Sequence, residues 1–378
     1  MYDYFLADDL SGALDAGGAF LRAGRRVRIS LRSGEVAAGS ADEVLAITTE
    51  TRNADPAAAA AVVSRVIDAH RAQGGRLVYK KIDSTLRGPV AAELEALMAA
   101  LPDARVLFAP ANPRVGRTVQ DGVLRVRGIP VAETEFGRDP AWPLRDSRVR
   151  GILGATATPR VVVPDTVDPD DLLGAVQNMD AGPGPWVPVG SGALAVPIAA
   201  RAAPTAAASG ETSLPAGDAS PVPGSPVLLV GGSAHPLNRD QAEQLRQIEG
   251  APIHELDFGD PTRAVTAAIA DLSRVGTATL QVTARRTTAQ TALRAITEAA
   301  VRVIETARVH RLFVTGGETA FAICERLGVD SLALLAELEP GLGLVRAQST
   351  AGPLLLAIKP GGFGDPHTWI RACARLRA

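Results

Sequence analysis

Strand-like and helix-like segments alternate along almost the whole chain, and this order constrains the fold more than any other feature of the sequence. Apolar, strand-like runs of the N-terminal part lie at 2–7, 27–31, 44–48, 77–82 and 106–109. Helix-like segments lie at 11–23, 56–73 and 89–101, and near 168–178 and 193–201. Such alternation predicts mostly parallel sheets with helices on both faces.

The alternation is interrupted once, at 203–225, by the segment APTAAASGETSLPAGDASPVPGS. The segment has no apolar periodicity and is rich in Pro, Ala and Ser, which is typical of an interdomain linker. Strand-like runs then resume at 227–230, 252–256, 278–282, 312–315 and 354–358. The sequence therefore predicts an α/β fold of two doubly wound, mostly parallel-sheet domains, 1–202 and 226–378, joined by the Pro/Ala/Ser-rich linker.

Composition excludes several classes of protein. The 378 residues contain no uninterrupted apolar run of membrane-spanning length, and the formal net charge is only −2, so neither a membrane nor a nucleic acid is an expected partner. The acidic start, MYDYFLADDL, lacks the basic region of a signal peptide. The only cysteines are Cys324 and Cys373, no C-x-x-C or H-E-x-x-H is present, and no protein metal site is expected. A reducing cytoplasm fits this cysteine usage.

Lysine is rare in this chain. Of 39 basic residues only Lys80, Lys81 and Lys359 are lysines, and each lies at the end of a strand-like run. A compact ammonium and a planar guanidinium are not interchangeable, so these positions are candidates for function. Because side chains alternate along a strand, Lys80 and Lys81 should point to opposite sides.

Two loops of the N-terminal part carry most of its chemistry. The first, ADDLSGA at 7–13, places Asp8 and Asp9 between a strand and a helix, where one carboxylate can cap the helix and the other can accept a proton from a substrate hydroxyl. The second, KKIDSTLRG at 80–88, concentrates charges and hydroxyls before a helix, a place that favours anions. A proline-rich stretch at 109–140 is a third polar loop, suited to a ligand or to a dimer contact.

Three glycine-bearing turns follow strands in the C-terminal part. They are GGSAH at 231–235, TGGETA at 315–320 and KPGGFG at 359–364. Glycine permits close approach of the backbone to phosphates, so the three turns together favour a nucleotide site. The chain has no G-x-x-x-x-G-K-[ST], which excludes a P-loop, and no G-x-G-x-x-G follows a strand of the N-terminal part.

Together these motifs resemble the four-carbon acid sugar kinase family. ADDLSGA is similar to the family's opening A-D-D-L-T-G-A, with Ser11 in place of Thr, and KKIDSTLRG matches residue for residue. The order of motifs through 109–140, 315–320 and 359–364 is similar as well. His235 and Pro360 stand where the family often has serines, and Asn112 stands where an aromatic residue is common.

The resemblance implies a sugar-acid-binding N-terminal domain, an ATP-binding C-terminal domain and phosphorylation of the terminal hydroxyl of threonate, erythronate or 3-oxo-tetronate. The expected catalytic residues are Asp8, Asp9, Lys81 and Arg87, with Asp83, Ser84, Thr85 and Arg117 binding the substrate. The expected nucleotide-binding residues are Ser233, Gly316, Gly317, Glu318, Thr319, Lys359 and Gly361. Mg²⁺ would be held mostly through the phosphates of ATP.

Within this interpretation, either Asp8 or Asp9 is the general base, and Lys81 and Arg87 hold the substrate carboxylate. Two alternatives stay open: a kinase of another small polyhydroxy acid such as a pentonate, and a non-catalytic sugar-acid sensor. The expected partners are a small sugar acid and ATP, and a homodimer stays open as well.

Overall fold

The computed structural model describes residues 1–33, 42–139, 141–180, 184–202, 225–233, 235–282 and 287–378. The chain divides into two compact units, Met1–Ser209 and Gly210–Ala378. The predicted linker at 203–225 lies outside the described residues except for Ser225. Within the described ranges, no helix is both long enough and apolar enough to cross a membrane.

The N-terminal unit contains ten strands and six α-helices among its described residues. They are β1 (Tyr2–Ala7), α1 (Leu10–Arg22), β2 (Arg26–Ser30), β3 (Glu43–Thr48), α2 (Pro56–Ala72), β4 (Gly75–Lys81), α3 (Val90–Ala100), β5 (Arg105–Ala109), β6 (Arg117–Gln120), β7 (Val123–Val126), β8 (Ile129–Pro130), α4 (Val149–Leu153), β9 (Val161–Val162), α5 (Pro169–Asp180), β10 (Trp186–Gly190) and α6 (Gly192–Arg201).

Seven of these strands form a parallel sheet in the order β2-β3-β1-β4-β10-β5-β9, and β6, β7 and β8 form a small antiparallel sheet. The chain passes from β1 to one side of the sheet and then crosses back over β1 to reach β4. The direction of winding therefore changes at β1 and β4. In open α/β sheets, ligands bind beyond the carboxyl ends of the strands at such a point.

Both faces of this sheet are covered by helices. Tyr4 and Leu6 of β1 pack in a cluster with buried residues of α2 and α3. Phe5, between them, points to the other face, where its ring stacks on Phe20 of α1 with centroids 5.4 Å apart. Because alternate residues of β1 are buried on opposite faces, the prediction of a doubly wound domain is confirmed.

Local signals explain where helices begin and end. Asp55 caps α2 by accepting the N–H of Ala57 at 2.9 Å, and Pro56 is the first helical residue, as the sequence predicts. Gly74, after the end of α2, has φ +76°, a conformation that glycine adopts without strain.

The C-terminal unit contains seven strands and five helices among its described residues. They are β11 (Val227–Gly231), α7 (Pro236–Glu249), β12 (Ile253–Leu256), α8 (Thr262–Val275), β13 (Thr277–Val282), α9 (Ala289–Ala307), β14 (Arg311–Thr315), α10 (Gly317–Arg326), β15 (Ser331–Glu339), β16 (Leu342–Ser349), β17 (Gly352–Lys359) and α11 (Thr368–Arg377).

Within this unit the strand order is β12-β13-β11-β14-β17-β16-β15. The first five strands are parallel, whereas β16 runs antiparallel to both β17 and β15. The sheet is thus mostly parallel, as predicted, but the hairpin of β15 and β16 is not among the strands that the sequence predicts. The signal for their hairpin is the pair Pro340-Gly341, where Gly341 has φ +79°.

Candidate active site

Asp8 and Asp9 lie directly beyond β1, at the start of α1. Asp9 is the N-cap of α1, and its Oδ1 accepts the N–H of Gly12 at 2.6 Å. A Cβ on residue 12 would lie 2.8 Å from that oxygen and 3.1 Å from Lys81 Nζ, so only glycine lets the helix start pack here. The prediction that one of the two carboxylates caps the helix is confirmed for Asp9.

Arg52 binds both carboxylates. Its Nη2 donates to Asp8 Oδ1 at 2.8 Å and its Nε to Asp8 Oδ2 at 3.0 Å, while its Nη1 donates to Asp9 Oδ2. The backbone N–H of Arg52 also donates to the carbonyl of Asp8, at 3.2 Å. Sequence reasoning missed Arg52; the available signal was a basic residue four positions beyond a strand that adjoins β1.

The two aspartates differ in their electrostatics. Burial alone would raise the pKa of Asp8, but the charges of Arg52 and Lys81 and the Arg52 hydrogen bonds outweigh it, so that pKa is lowered. Burial also raises the pKa of Asp9; there the negative charge of Asp8 adds to burial, and Arg52 does not reverse the rise. Asp8 is therefore the more strongly ionised of the pair.

The loop that follows β4 is organised by Asp83. Its carboxylate accepts hydrogen bonds from Arg87 Nη2 at 3.1 Å and Nε at 3.2 Å, and from the backbone N–H and the hydroxyl of Thr85. Burial would raise the pKa of Asp83, but Arg87 and Arg52 hold it well below the ordinary value. The loop includes Leu86 at φ +62°, a left-handed conformation that these bonds sustain.

Arg117, at the start of β6, reaches the same loop. Its Nη1 donates to Ser84 Oγ, and its guanidinium lies 5.7 Å from the centre of the Phe136 ring. The guanidinium of Arg87 lies over the same ring at 5.8 Å. The small antiparallel sheet thus brings a third polar segment to the loop after β4. Together these segments gather the predicted residues Asp83, Ser84, Thr85, Arg87 and Arg117 in one place.

The two lysines of β4 point apart, as alternation requires. The ammonium of Lys81 donates to the carbonyl of Ile82 at 3.1 Å and lies 3.9 Å from Asp15 Oδ2. Lys80 points to the other face, where it forms a buried ion pair with Glu93 of α3. Lys80 is therefore part of the buried core, whereas the ammonium of Lys81 lies near the start of α1.

Glu50 is the second charged residue that sequence reasoning missed. It lies two residues beyond β3, its backbone has φ +50°, and its Oε1 accepts the hydroxyl of Thr48. Burial and the neighbouring Asp9 raise its pKa to about 8, against the effect of Thr48. Its signal in the sequence was the run TTETR at 48–52, polar residues directly after a buried strand.

In the C-terminal unit the three predicted glycine turns lie side by side. A Cβ on Gly361 would collide with Ser233 Oγ, and a Cβ on Gly232 would collide with the side chain of Thr319. The N–H of Gly316 donates to the carbonyl of Lys359 at 2.8 Å, and Gly316 has φ +98°.

The first turn of α10 contains Gly317, Glu318 and Thr319. Unpaired N–H groups at a helix start are suited to phosphate. The structure thus brings the predicted nucleotide residues of the three turns together.

Lys359 is held by its own loop. Its buried ammonium donates to the carbonyls of Pro360 at 3.1 Å, Gly361 at 3.0 Å and Phe363 at 2.9 Å. Burial lowers its pKa to about 8, with Glu339 opposing the change. An ammonium has three donors, and each has a carbonyl here. Lys359 therefore shapes the loop rather than offering a free donor to a ligand.

His235, one of the departures from the family pattern, lies at the start of α7. Its Nδ1 accepts the N–H of Leu237 at 3.2 Å, which makes it the N-cap of α7. A Cβ on Gly362 would lie 3.2 Å from the imidazole, so the ring packs against the third glycine turn. His235 thus links the start of α7 to the third glycine turn.

Two family models match the chain. A sugar-binding N-terminal domain matches residues 4–163, and a nucleotide-binding C-terminal domain matches residues 228–369. Each match lies within one of the two compact units.

Several curated proteins are similar along their whole length. A D-threonate kinase of Bordetella bronchiseptica is 33% identical, with 100% of this chain and 98% of that protein covered. A D-threonate kinase of Salmonella typhimurium is 28% identical, with 96% and 95% covered. A 3-oxo-tetronate kinase of Methylobacterium radiotolerans is 28% identical, with 97% of each chain covered.

Among solved structures, a Salmonella typhimurium LT2 protein described as a candidate tRNA synthase has a TM-score of 0.77 at 24% identity, with 98% of both chains covered. A Haemophilus influenzae protein has a TM-score of 0.71 at 19% identity, with 99% of this chain and 100% of that chain covered. At these identities the likeness shows a shared fold. The two matched domains and the relative that is 33% identical over 98% of its length establish that this chain belongs to the four-carbon acid sugar kinase family.

Proposed function

We propose that this chain is an ATP-dependent kinase that phosphorylates the terminal hydroxyl of a four-carbon sugar acid: threonate, erythronate or 3-oxo-tetronate. The observation that carries the proposal is the group of cations at the carboxyl ends of β3 and β4. Arg52 and Lys81 lie around the buried pair Asp8 and Asp9, and Arg87 binds the buried Asp83 in the next loop. The names of the full-length relatives support the same substrate class.

Substrate binding is proposed from the hydrogen-bond donors that are not already fully bound within the protein. The guanidinium of Arg87, expected to hold the substrate carboxylate, is bound to Asp83, so Arg117 takes that role together with Lys81. The Ser84 hydroxyl, already in contact with Arg117, binds a substrate hydroxyl. Asp83 and Thr85 act indirectly on substrate binding, because their hydrogen bonds hold Arg87 and the loop after β4 in place. A small acid with several hydroxyls fits this mixture of cations and hydroxyls.

The nucleotide is proposed to bind to the domain at 226–378, at the three glycine turns. Ser233, the N-terminus of α10 and the loop around Gly361 offer backbone and hydroxyl groups to phosphates. Mg²⁺ enters as MgATP, a substrate, and is held mostly through the phosphates. Buried free thiols at Cys324 and Cys373 fit a cytoplasmic kinase.

One assay separates this function from its alternatives. The full chain is incubated with MgATP and a panel of tetronates, 3-oxo-tetronates and pentonates, and ADP release is measured together with the ³¹P spectrum of the product. A tetronate kinase gives a phosphomonoester with one or more four-carbon acids. Faster turnover of a pentonate would assign a different acid. Calorimetric binding of an acid without ADP release would assign a sensor.

A further inference from the structure

We propose that Glu50, rather than Asp8 or Asp9, accepts the proton of the substrate hydroxyl. The inference rests on the proposed kinase function and adds a residue to its chemistry. It depends on where Glu50 lies, on how its backbone is held, and on which carboxylates of the site are already occupied.

The sheet places Glu50 at the same edge as the two aspartates. In the parallel pairing of β1 and β3, Ala7 lies opposite Thr48, so Asp9 and Glu50 are each two residues beyond the paired position. The N–H of Thr49 donates to the carbonyl of Ala7 at 2.8 Å, and the N–H of Thr51 donates to the carbonyl of Asp8 at 3.0 Å. These bonds fix the segment that carries Glu50 against the loop after β1.

The backbone of Glu50 is strained. A residue with a side chain at φ +50° occupies the left-handed region, a conformation that costs free energy and persists only where the surrounding structure holds it. Nothing in local turn chemistry requires glutamate there, because Gly, Asn and Asp adopt this conformation more easily. The surrounding hydrogen bonds maintain the strain, and its effect is to hold the carboxyl beside the start of α1.

The other carboxylates of the loop already have charged partners. Both oxygens of Asp8 bind Arg52, and the oxygens of Asp9 bind Arg52 and the N–H of Gly12. For Asp8 these contacts lower the pKa, which makes it a weak proton acceptor. Burial raises the pKa of Asp9, but protonating Asp9 would break its ion pair with Arg52 and its hydrogen bond to the start of α1. By contrast, the hydrogen-bond partners of Glu50 are the Thr48 hydroxyl and the N–H of Leu10, both uncharged.

The electrostatics of Glu50 suit a proton acceptor. Burial is the largest cause that raises its pKa to about 8, followed by the Asp9 carboxylate at the start of α1. The Arg52 guanidinium, on the same segment, opposes the rise, and Lys81 of β4 acts on the neighbouring Asp9. Glu50 is also only half-buried, whereas Asp8 and Asp9 are 2% and 8% exposed. A general base works best when its pKa is near the working pH.

The step then balances as follows. The substrate hydroxyl oxygen forms a bond to the γ-phosphorus of ATP while the bond from that phosphorus to the β,γ-bridging oxygen breaks. The hydroxyl proton moves to the Glu50 carboxylate, and the electron pair of the broken bond leaves with ADP. The proton is later released to water, which returns Glu50 to its ionised form.

The test is the pH profile of kcat/KM for Glu50→Gln, measured with the best acid and MgATP. Because the ionised carboxylate is the active form, kcat/KM of the unaltered enzyme should fall as the pH drops below about 8. Glu50→Gln should lower kcat by about 100-fold or more and abolish this acid limb. Glu43→Gln, at the other end of β3 in an ion pair with Arg28, is the matched control and should keep both rate and profile.

Two results would overturn the proposal. One is an acid limb and kcat unchanged within about threefold in Glu50→Gln, a change too small for a lost general base. The other is an acid limb that survives in Glu50→Gln and disappears in Asp9→Asn. If Glu50→Gln fails to fold, the same pH profile is measured for Glu50→Asp. A shortened base should keep an acid limb, but with a lower kcat and a shifted midpoint. A pH profile of Glu50→Asp equal to that of the unaltered enzyme would count against Glu50. Failure of the kinase assignment looks different, since the unaltered chain would then release no ADP with any acid.

Discussion

The ammonium of Lys80 lies 2.7 Å from Glu93 Oε2, and both side chains are 1% exposed. The contact is an ion pair, although its angle falls outside good hydrogen-bond geometry. Glu93 also accepts the hydroxyl of Thr51, which is next to Arg52. The neighbouring Lys81, on the opposite face of β4, lies near the start of α1 instead.

These positions predict different failures for the two lysines. Lys80→Met should lower the free energy of unfolding by about 3–5 kcal/mol, because it leaves Glu93 charged and buried without its partner. Lys81→Arg should leave stability nearly unchanged but lower kcat/KM by on the order of 100-fold, because a planar guanidinium displaces the substrate. Urea unfolding and steady-state kinetics on both variants check this. A twofold or smaller loss in Lys81→Arg would remove Lys81 from the site.

Arg52 holds Asp8 through two nitrogens, a geometry that lysine does not reproduce. Arg52→Lys should therefore lower kcat/KM by on the order of 100-fold, since a single ammonium cannot fix both aspartates. The matched control is Arg76→Lys, near the start of β4, away from the carboxyl ends of the strands where Arg52 lies. The Arg76 side chain is 61% exposed and pairs with Asp3. It should change kcat/KM by less than about twofold. Equal effects in the two variants would contradict a role for Arg52.

Gly361 tests the nucleotide turns. Gly361→Ala should raise the KM for ATP by on the order of tenfold. The new methyl group would collide with Ser233 and push the turn at 359–364 away from the turn at 231–235. The KM for the sugar acid should stay the same. Gly259→Ala is the control, because its Cβ would have its nearest neighbour, Asp257 Oδ1, at 3.6 Å. An unchanged KM for ATP in Gly361→Ala would place the nucleotide elsewhere.

Glu50 also predicts how stability depends on pH. Its folded-state pKa of about 8 lies above the ordinary value of 4.5, so the folded state binds the proton more tightly than the unfolded state. Stability from this group is therefore present below pH 4.5 and is lost as the pH rises towards 8. Glu50→Gln should accordingly have a higher Tm than the unaltered chain at pH 9, and the difference should shrink at pH 5. If the difference in Tm between the two proteins were the same at pH 5 and pH 9, the pKa of Glu50 would not be raised in the folded state.

The sequence predicted the fold well because its strongest signals are local. Alternating segments, Pro56 at a helix start and Gly74 after a helix end are signals that act within a few residues, and they predict the order of elements. The antiparallel β15 and β16 were missed, since Leu- and Ala-rich runs fit a helix or a strand equally until a partner strand is known.

The candidate site was predicted only in part, for the same physical reason. Asp8, Asp9 and the loop at 80–88 stand out because their charges are dense in the sequence. Arg52 and Glu50 do not, because their relation to Asp9 arises when β3 pairs with β1. Lys359 was recognised as unusual, but its three carbonyl partners become visible only when the loop is folded around it.

The ammonium of Lys359 is bound by three backbone carbonyls, ligands that a monovalent metal ion also takes, within the turn that we propose to bind phosphate. Unlike a dissolved ion, it is covalently attached to the last residue of β17 and cannot exchange with the solvent. The loop at 360–363 therefore carries its own monovalent cation. A consequence is that replacing K⁺ by Na⁺ at constant ionic strength should leave ATP affinity unaltered, whereas raising the pH above about 8 should weaken it as the tethered cation loses its charge.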